Sequence, residues 1–241
     1  MLNALLKGNA GTAQVEIAAG TSLREVFRRT EDLLTSTVFE RLSYLSGATA
    51  WEVMRRTFAP DLGAFRVAEL EEVEFWPRYG DETGHADSVL PDAVLFFTVG
   101  DPARQVVVNV ECKTAGGQYA RQWERQILAA AKETEADRLV FAALGGLGRN
   151  HARDALELRA QLSSEAQEAA EIVSAGWGEL ARAVAEVEPR HGGEERALGD
   201  IAEALALYGY RHVDLNAGLA AMSRPVVLEP TLATLPLGEA A

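Results

Sequence analysis

Apolar side chains recur at helical spacing through Leu23, Val26, Phe27, Leu34, Val38, Leu42 and Leu45, which predicts an amphipathic helix over residues 22–46. Ser22-Leu23-Arg24-Glu25 opens it as a capping box, and Gly47 is expected to end it. A shorter helix or turn covers Ala50 to Phe58, ahead of Pro60. Beyond Phe65 the period changes. A strand is expected around Val73-Glu74-Phe75-Trp76, before Pro77, followed by a polar loop over 80–90. Asp92 to Val99 is an apolar run of strand length, Gly100-Asp101-Pro102-Ala103 a turn, and Gln105 to Lys113 a Val-rich strand. After the break at Gly116-Gly117, a helix over 118–136 places Tyr119, Trp123, Ile127 and Ala130 on one face. Residues 138–144 read as a further strand, closed by Gly145-Gly146. The Ala- and Glu-rich remainder reads as helices over roughly 152–174, 177–187 and 195–209 by the same periodicity, with an irregular tail from Pro225. No internal repeat is evident.

The two strands either side of Gly100-Asp101-Pro102-Ala103 form a hairpin. A turn centred between Asp101 and Pro102 sets Asp92 opposite Glu111 on the neighbouring strand. The two-residue period of a strand then puts Glu111 and Lys113 on one face, while Val106, Val108, Val110 and Cys112 turn the other way into a core. Two carboxylates and one ammonium meet at the end of a buried hairpin. Carboxylates brought together away from water repel unless a cation lies between them. Mg²⁺ suits a site of few carboxylates completed by water and phosphate oxygens, and can activate a water against a phosphodiester.

Composition changes the weight of this set. The chain holds three lysines, Lys7, Lys113 and Lys132, against twenty arginines, and Glu111-Cys112-Lys113 is its one (D/E)xK triplet. Arginine is the default cation here, so a lysine at this point indicates a need for a compact ammonium. The formal net charge of −13 argues against loose binding to nucleic acid. The acid is concentrated in residues 154–241 and 67–99, leaving Arg24, Arg28, Arg29, Arg55, Arg56, Arg121 and Arg125 for a basic surface. No apolar run reaches the roughly 18 residues of a membrane helix, and Met1 to Gly11 does not read as a secretory signal, so a cytoplasmic protein is expected. The lone Cys112 has no partner for an internal disulfide or a zinc site, and its side chain reads as core. The four histidines show no metal-ligand spacing.

Pro91-Asp92 followed by Glu111-Cys112-Lys113 resembles the PD-(D/E)xK superfamily of restriction-endonuclease-like nucleases. The resemblance spans residues 22–144 and implies an α/β fold, a central mixed β-sheet flanked by helices, with a C-terminal helical extension. Residues 1–150 would form the nuclease core, and 151–241 an extension packed on it. The resemblance implies catalytic roles for Asp92, Glu111 and Lys113, with Mg²⁺ (or Mn²⁺) as cofactor and DNA as substrate. The metal is assigned to Asp92, Glu111 and Cys112, and Lys113 assists the attacking water. It also implies an acidic contribution from the first helix, for which Glu31 is the candidate, Asp32 being expected to face solvent. Gln122 and Gln126 would support the site, and Arg121 and Arg125 would hold backbone phosphates.

Other features read more simply. Glu69, Glu71, Glu72 and Glu74 suit a solvated strand face, and Trp177 a packing anchor. Pro60-Asp61 has no (D/E)xK at a usable distance. The C-terminal helices loosely resemble those of bacterial defence nucleases, which implies an antiviral role. The acidic C-terminal part suits docking to a protein partner or a second copy. The competing expectation is a nuclease-fold subunit that binds or assembles without cutting. An RNA nuclease would use the same site.

Overall fold

The central strand of the sheet is the one that the Val run predicts. In the computed structural model, which describes residues 31–58, 62–80 and 89–212, β3 (Arg104–Lys113) is flanked by β2 (Ala93–Val99) on one side and β4 (Arg138–Gly145) on the other. A strand covered on both faces needs apolar, β-branched residues at successive positions rather than alternation. Val106, Val107, Val108 and Val110 supply them, all buried. β1 (Ala68–Phe75) and β5 (Glu171–Ala175) complete the order β1-β2-β3-β4-β5. Pairing is antiparallel from β1 to β3 and parallel from β3 to β5. The protein is thus an α/β fold with a mixed five-stranded sheet among the described residues. The β2–β3 register runs from Val99 opposite Arg104 to Ala93 opposite Val110, the register expected from the turn.

The side-chain period of two splits the sheet into two cores. Val106, Val108, Val110 and Cys112 pack with Leu34 and Val38 of α1 (Glu31–Leu42), Trp51 and Met54 of α2 (Gly47–Thr57), Trp177 and Leu180 of α6 (Trp177–Glu186), and Ile201 of α7 (Gly192–Leu207). Val107 and Phe141 pack on the opposite face with Trp123 and Ile127 of α3 (Ala120–Glu133), Ala155 of α4 (His151–Arg159) and Ala166 of α5 (Ser164–Ala169).

Three expectations are corrected. The first helix ends at Leu42, and Gly47 does not stop it but opens α2, with Ser46 accepting the Thr49 N–H as N-cap. A glycine stands there because α2 crosses β1 closely. A Cβ on Gly47 would lie 2.5 Å from the Ala68 carbonyl oxygen and the Leu70 nitrogen. The expected start of the first helix, its capping box, Pro60-Asp61 and the tail from Pro225 lie outside the described residues. The helix expected over 152–174 is instead α4, α5 and the edge strand β5. Ser163 caps a new short helix by accepting the Ala166 N–H, and Ile172-Val173 then pair with β4. Sheet pairing overrides the local helical composition. Tyr119 is exposed rather than on the buried face of its helix, which begins one residue later. Glu69, Glu71 and Glu72 are exposed on edge strand β1, where charge discourages pairing with another chain.

A carboxylate with no solvent exposure ties the helical half to this frame. Glu194, in the first turn of α7, accepts the Ser46 N–H at 2.9 Å and the Arg190 N–H at 2.6 Å, and so satisfies donors at two helix starts. Burial pushes its carboxyl upward, but the hydrogen bonds from Ser46, Arg190 and Thr49 outweigh burial and bring it from 4.5 to about 2. A depressed carboxyl contributes stability above its unfolded value, which is lost as pH falls through the folded one. Urea midpoints measured across pH should therefore fall between pH 4.5 and 2, and Glu194→Gln should flatten that slope. Gly47→Ala should destabilise the protein by about 1–3 kcal/mol or more, the usual cost of overpacking, read as a lower unfolding midpoint.

Candidate active site

Asp92 precedes β2, and its N–H donates to the Val110 carbonyl at 3.2 Å, carrying the β2–β3 ladder one step further. Its carboxylate accepts the Cys112 N–H at 2.7 Å. Glu111, on β3, lies opposite in this register and is 1% exposed. It is held by three donors. Lys113 Nζ and Gln122 Nε2, the latter at 2.6 Å, share Oε1, and Gln126 Nε2 meets Oε2 at 2.6 Å. Gln122 and Gln126 stand one turn apart on α3, so one helix face presents both amides to one carboxylate.

Lys113 also donates to the Cys112 carbonyl at 3.0 Å and lies 3.7 Å from Glu31 Oε1. Burial works to lower the Lys113 pKa. The attraction and hydrogen bond of Glu111, with Asp92 and Glu31 behind them, overcome this and raise it, so the ammonium stays charged. Glu31 reaches in from α1 and accepts from both the backbone N–H and the hydroxyl of Thr114, the latter at 3.1 Å. Asp32, expected to face solvent, is half-buried. Its carboxyl is raised by burial, then by Glu31 and Glu111, with Lys113 opposing. Burial also pushes the Asp92 carboxyl well above the carboxylate range; Glu111 adds to this, and Lys113 and the Cys112 N–H oppose it.

The structure thus brings Asp92, Glu111, Lys113 and Glu31 together, with Gln122 and Gln126 around Glu111. Cys112 divides. Its thiol is fully buried in the core on the α1 side, where burial raises it far above the ordinary thiol value. Its carbonyl faces the Lys113 ammonium. A metal role for this residue therefore falls to the carbonyl oxygen. Among the described residues no group of three or more His, Cys, Asp or Glu side chains is placed to hold a metal ion unaided. The set Asp92, Glu111 and the Cys112 carbonyl is all oxygen, with few carboxylates, which fits a hard divalent cation that keeps water or phosphate as its other ligands. Arg121 and Arg125 are exposed on α3 and line a cleft of about 590 Å³ with Val89, Leu90, Tyr119, Gln122 and Gln126.

Two residues beyond the expected set shape the site. Gln118 donates to the carbonyls of Glu111 (3.3 Å) and Gly145 (3.1 Å) and accepts from the Trp123 indole at 2.8 Å, pinning the ends of β3 and β4 together. The sequence signal was its spacing, one turn ahead of Gln122 and two ahead of Gln126. Trp177 is buried, as its reading as a packing anchor predicts, and its indole N–H donates to the Lys113 carbonyl at 3.0 Å. Gly145, at φ +74°, permits this approach, because a Cβ there would lie 2.7 Å from Trp177 Nε1.

The fold and these residues define an α/β protein with an acidic cluster closed by one lysine at the end of its central strand. No family model matches the chain. An uncharacterized protein of Pasteurella multocida (strain Pm70) is 29% identical over 153 residues, which cover 61% of this chain and 54% of that protein. The chain therefore matches about half the length of this relative. Among solved structures, the MspJI restriction endonuclease in complex with a 27-mer oligonucleotide is similar at 17% identity and a TM-score of 0.32, over 84% of this chain and 40% of that one.

Asp92 supplies a test of the site's electrostatics. An acid raised in the folded state contributes stability below its unfolded value, 3.8 here, and loses it as pH rises through the folded one. At pH 7 in chelator, Asp92→Asn should therefore melt no lower than the wild type, with its relative advantage gone at acid pH. A clear fall in melting temperature at pH 7 would contradict the charge assignment.

Proposed function

We propose that the chain is a Mg²⁺- or Mn²⁺-dependent nuclease that hydrolyses phosphodiester bonds of DNA. The observation that carries this reading is the meeting of Asp92, Glu111 and Lys113 at one strand end, with both Glu111 oxygens fixed by Gln122, Gln126 and Lys113. An ammonium and amides gathered on a buried carboxylate are costly to arrange for packing alone, since a half-satisfied buried network is worse than an apolar one.

Asp92, Glu111 and the Cys112 carbonyl would hold the metal. When bound, such an ion lowers the pKa of a water and offsets charge on the phosphate. Gln122 and Gln126 keep Glu111 in one orientation, so its oxygens need no reorganisation when substrate arrives. Lys113 is a charged donor with three protons to place. It can leave part of its contact with Glu111 for a phosphoryl oxygen as charge develops there. Glu31 orders the backbone just beyond Lys113 through Thr114 and adds negative charge on the far side of the ammonium. Arg121 and Arg125 would take flanking phosphates.

The net charge of −13 opposes unaided capture of nucleic acid. A protein partner, or a second copy, that strengthens the chain's own hold on DNA is part of the proposal, and an antiviral defence role is its proposed setting. Among the described residues no helix is long and apolar enough to cross a membrane. The acidic C-terminal part favours a second reading, an assembly subunit that binds without cutting.

Incubation of the purified chain with plasmid, linear duplex and single-stranded DNA in Mg²⁺ or Mn²⁺ separates the two. Cleavage is expected, to stop on adding chelator, and to fall on the order of 10²–10³-fold in Lys113→Ala, the usual loss for one transition-state donor. Gln126→Ala should lower the rate less, since it acts through Glu111. Absence of cut product with every substrate and both metals, alone and with proteins encoded beside it, would favour the binding subunit.

A further inference from the structure

Five large hydrophobic residues are exposed among the described residues, and two of them, Tyr119 at 63% and Leu90 at 43%, line the same cleft. That cleft runs between α3 and the segment leading into Asp92. Its floor is Gln122 and Gln126, whose amide N–H groups hold Glu111. The Gln126 side chain is 1% exposed, and its Oε1 is buried with no hydrogen-bond partner. Arg121 and Arg125 stand one turn apart on the same wall. A stacking surface, two cations and an open amide acceptor thus lead directly to the carboxylate that the nuclease reading makes central.

We infer that this cleft binds an unpaired nucleic-acid strand, stacking a base on Tyr119 against Leu90 and seating its phosphates on Arg121 and Arg125. This rests on the nuclease reading and specifies its substrate: a single strand, or a duplex with an unpaired end. In a duplex the bases stack on one another and present phosphates and groove edges. An exposed aromatic ring beside phosphate-binding arginines is of use when a base face is free. Arg121 and Arg125, in a chain of net charge −13, supply the charge complementarity for the backbone. Tyr119 precedes the first residue of α3 and is 63% exposed.

Binding in chelator isolates the cleft from the chemistry. Fluorescence anisotropy of the full chain with a labelled oligonucleotide should show the single strand bound about tenfold or more tighter than its duplex. Tyr119→Ala should weaken the single strand about tenfold, the range for loss of one stacked base, while Tyr119→Trp retains it. Arg121→Ala should weaken binding and reduce the slope of log K against log salt by about 0.7, one phosphate contact on a single strand. Unchanged circular dichroism and melting would show that each variant is folded; for one that is not, Tyr119→Phe, which keeps the ring, serves as the stacking control. Equal or tighter duplex binding, no effect of Tyr119→Ala, or no binding to either strand form would overturn the inference. So would a Tyr119→Ala chain whose one change is its oligomeric state, which would make the patch a contact between copies. Cleavage of duplex with Tyr119 irrelevant would leave the nuclease standing and remove the cleft assignment. Single-strand binding as described, with no cleavage in Mg²⁺ or Mn²⁺, would do the reverse.

Discussion

The burial of one carboxylate, Glu111, constrains much of what surrounds it. A carboxylate removed from water needs cations or donors at its oxygens. Three donors from two stretches of chain meet that need: Lys113 two residues on, and Gln122 and Gln126 from α3. Meeting it fixes the rotation of α3 about its axis. That rotation in turn sends Trp123 and Ile127 into the core on this face of the sheet and leaves Tyr119, Arg121 and Arg125 outside. The amphipathic pattern of the helix and the polar needs of Glu111 demand the same orientation, and agreement between levels of this kind is what specifies one structure.

Asp92 and Glu111 are not equivalent despite their adjacency. Glu111 is surrounded by side-chain donors, whereas Asp92 takes the Cys112 N–H, and its carboxyl is raised by burial and by Glu111 itself. Lys113 is shared between Glu111 and, at longer range, Glu31. Burial and neighbouring carboxylates disfavour the charged form at Asp92, and likewise at Asp32. Perturbed carboxyls of this kind cluster at functional sites.

Much of this was legible in the sequence because it depended on neighbours along the chain. A short turn fixes a hairpin's register, and the register of β2 on β3 followed from where Asp101-Pro102 stands. The valine run announced a strand buried on both faces. Glu31 could be singled out from its place at the helix margin, though not its hydrogen bonds to Thr114. What could not be read depended on distant chain. β5 is a strand because β4 offers it an edge, and its flanking Ala- and Glu-rich sequence favours helix. Gly47 is a glycine because β1 passes close by, which makes a residue resembling a helix stop into a helix start. Glu194 lies far along the chain from the Ser46 N–H that it accepts, and nothing local marks it among fifteen acidic residues after position 153.

Trp177 has a consequence for how this protein can change over evolutionary time. Its indole grips the Lys113 carbonyl from the first residue of α6, through a gap kept open by Gly145. The two halves of the chain are therefore not interchangeable modules. A recombination event that brought in a different set of C-terminal helices would leave the lysine strand without its clasp, and would place a new side chain against a glycine shaped for an indole. A side chain added at position 145 would meet the Trp177 indole, and loss of the indole would release the Lys113 carbonyl, so each of these positions limits what the other can become.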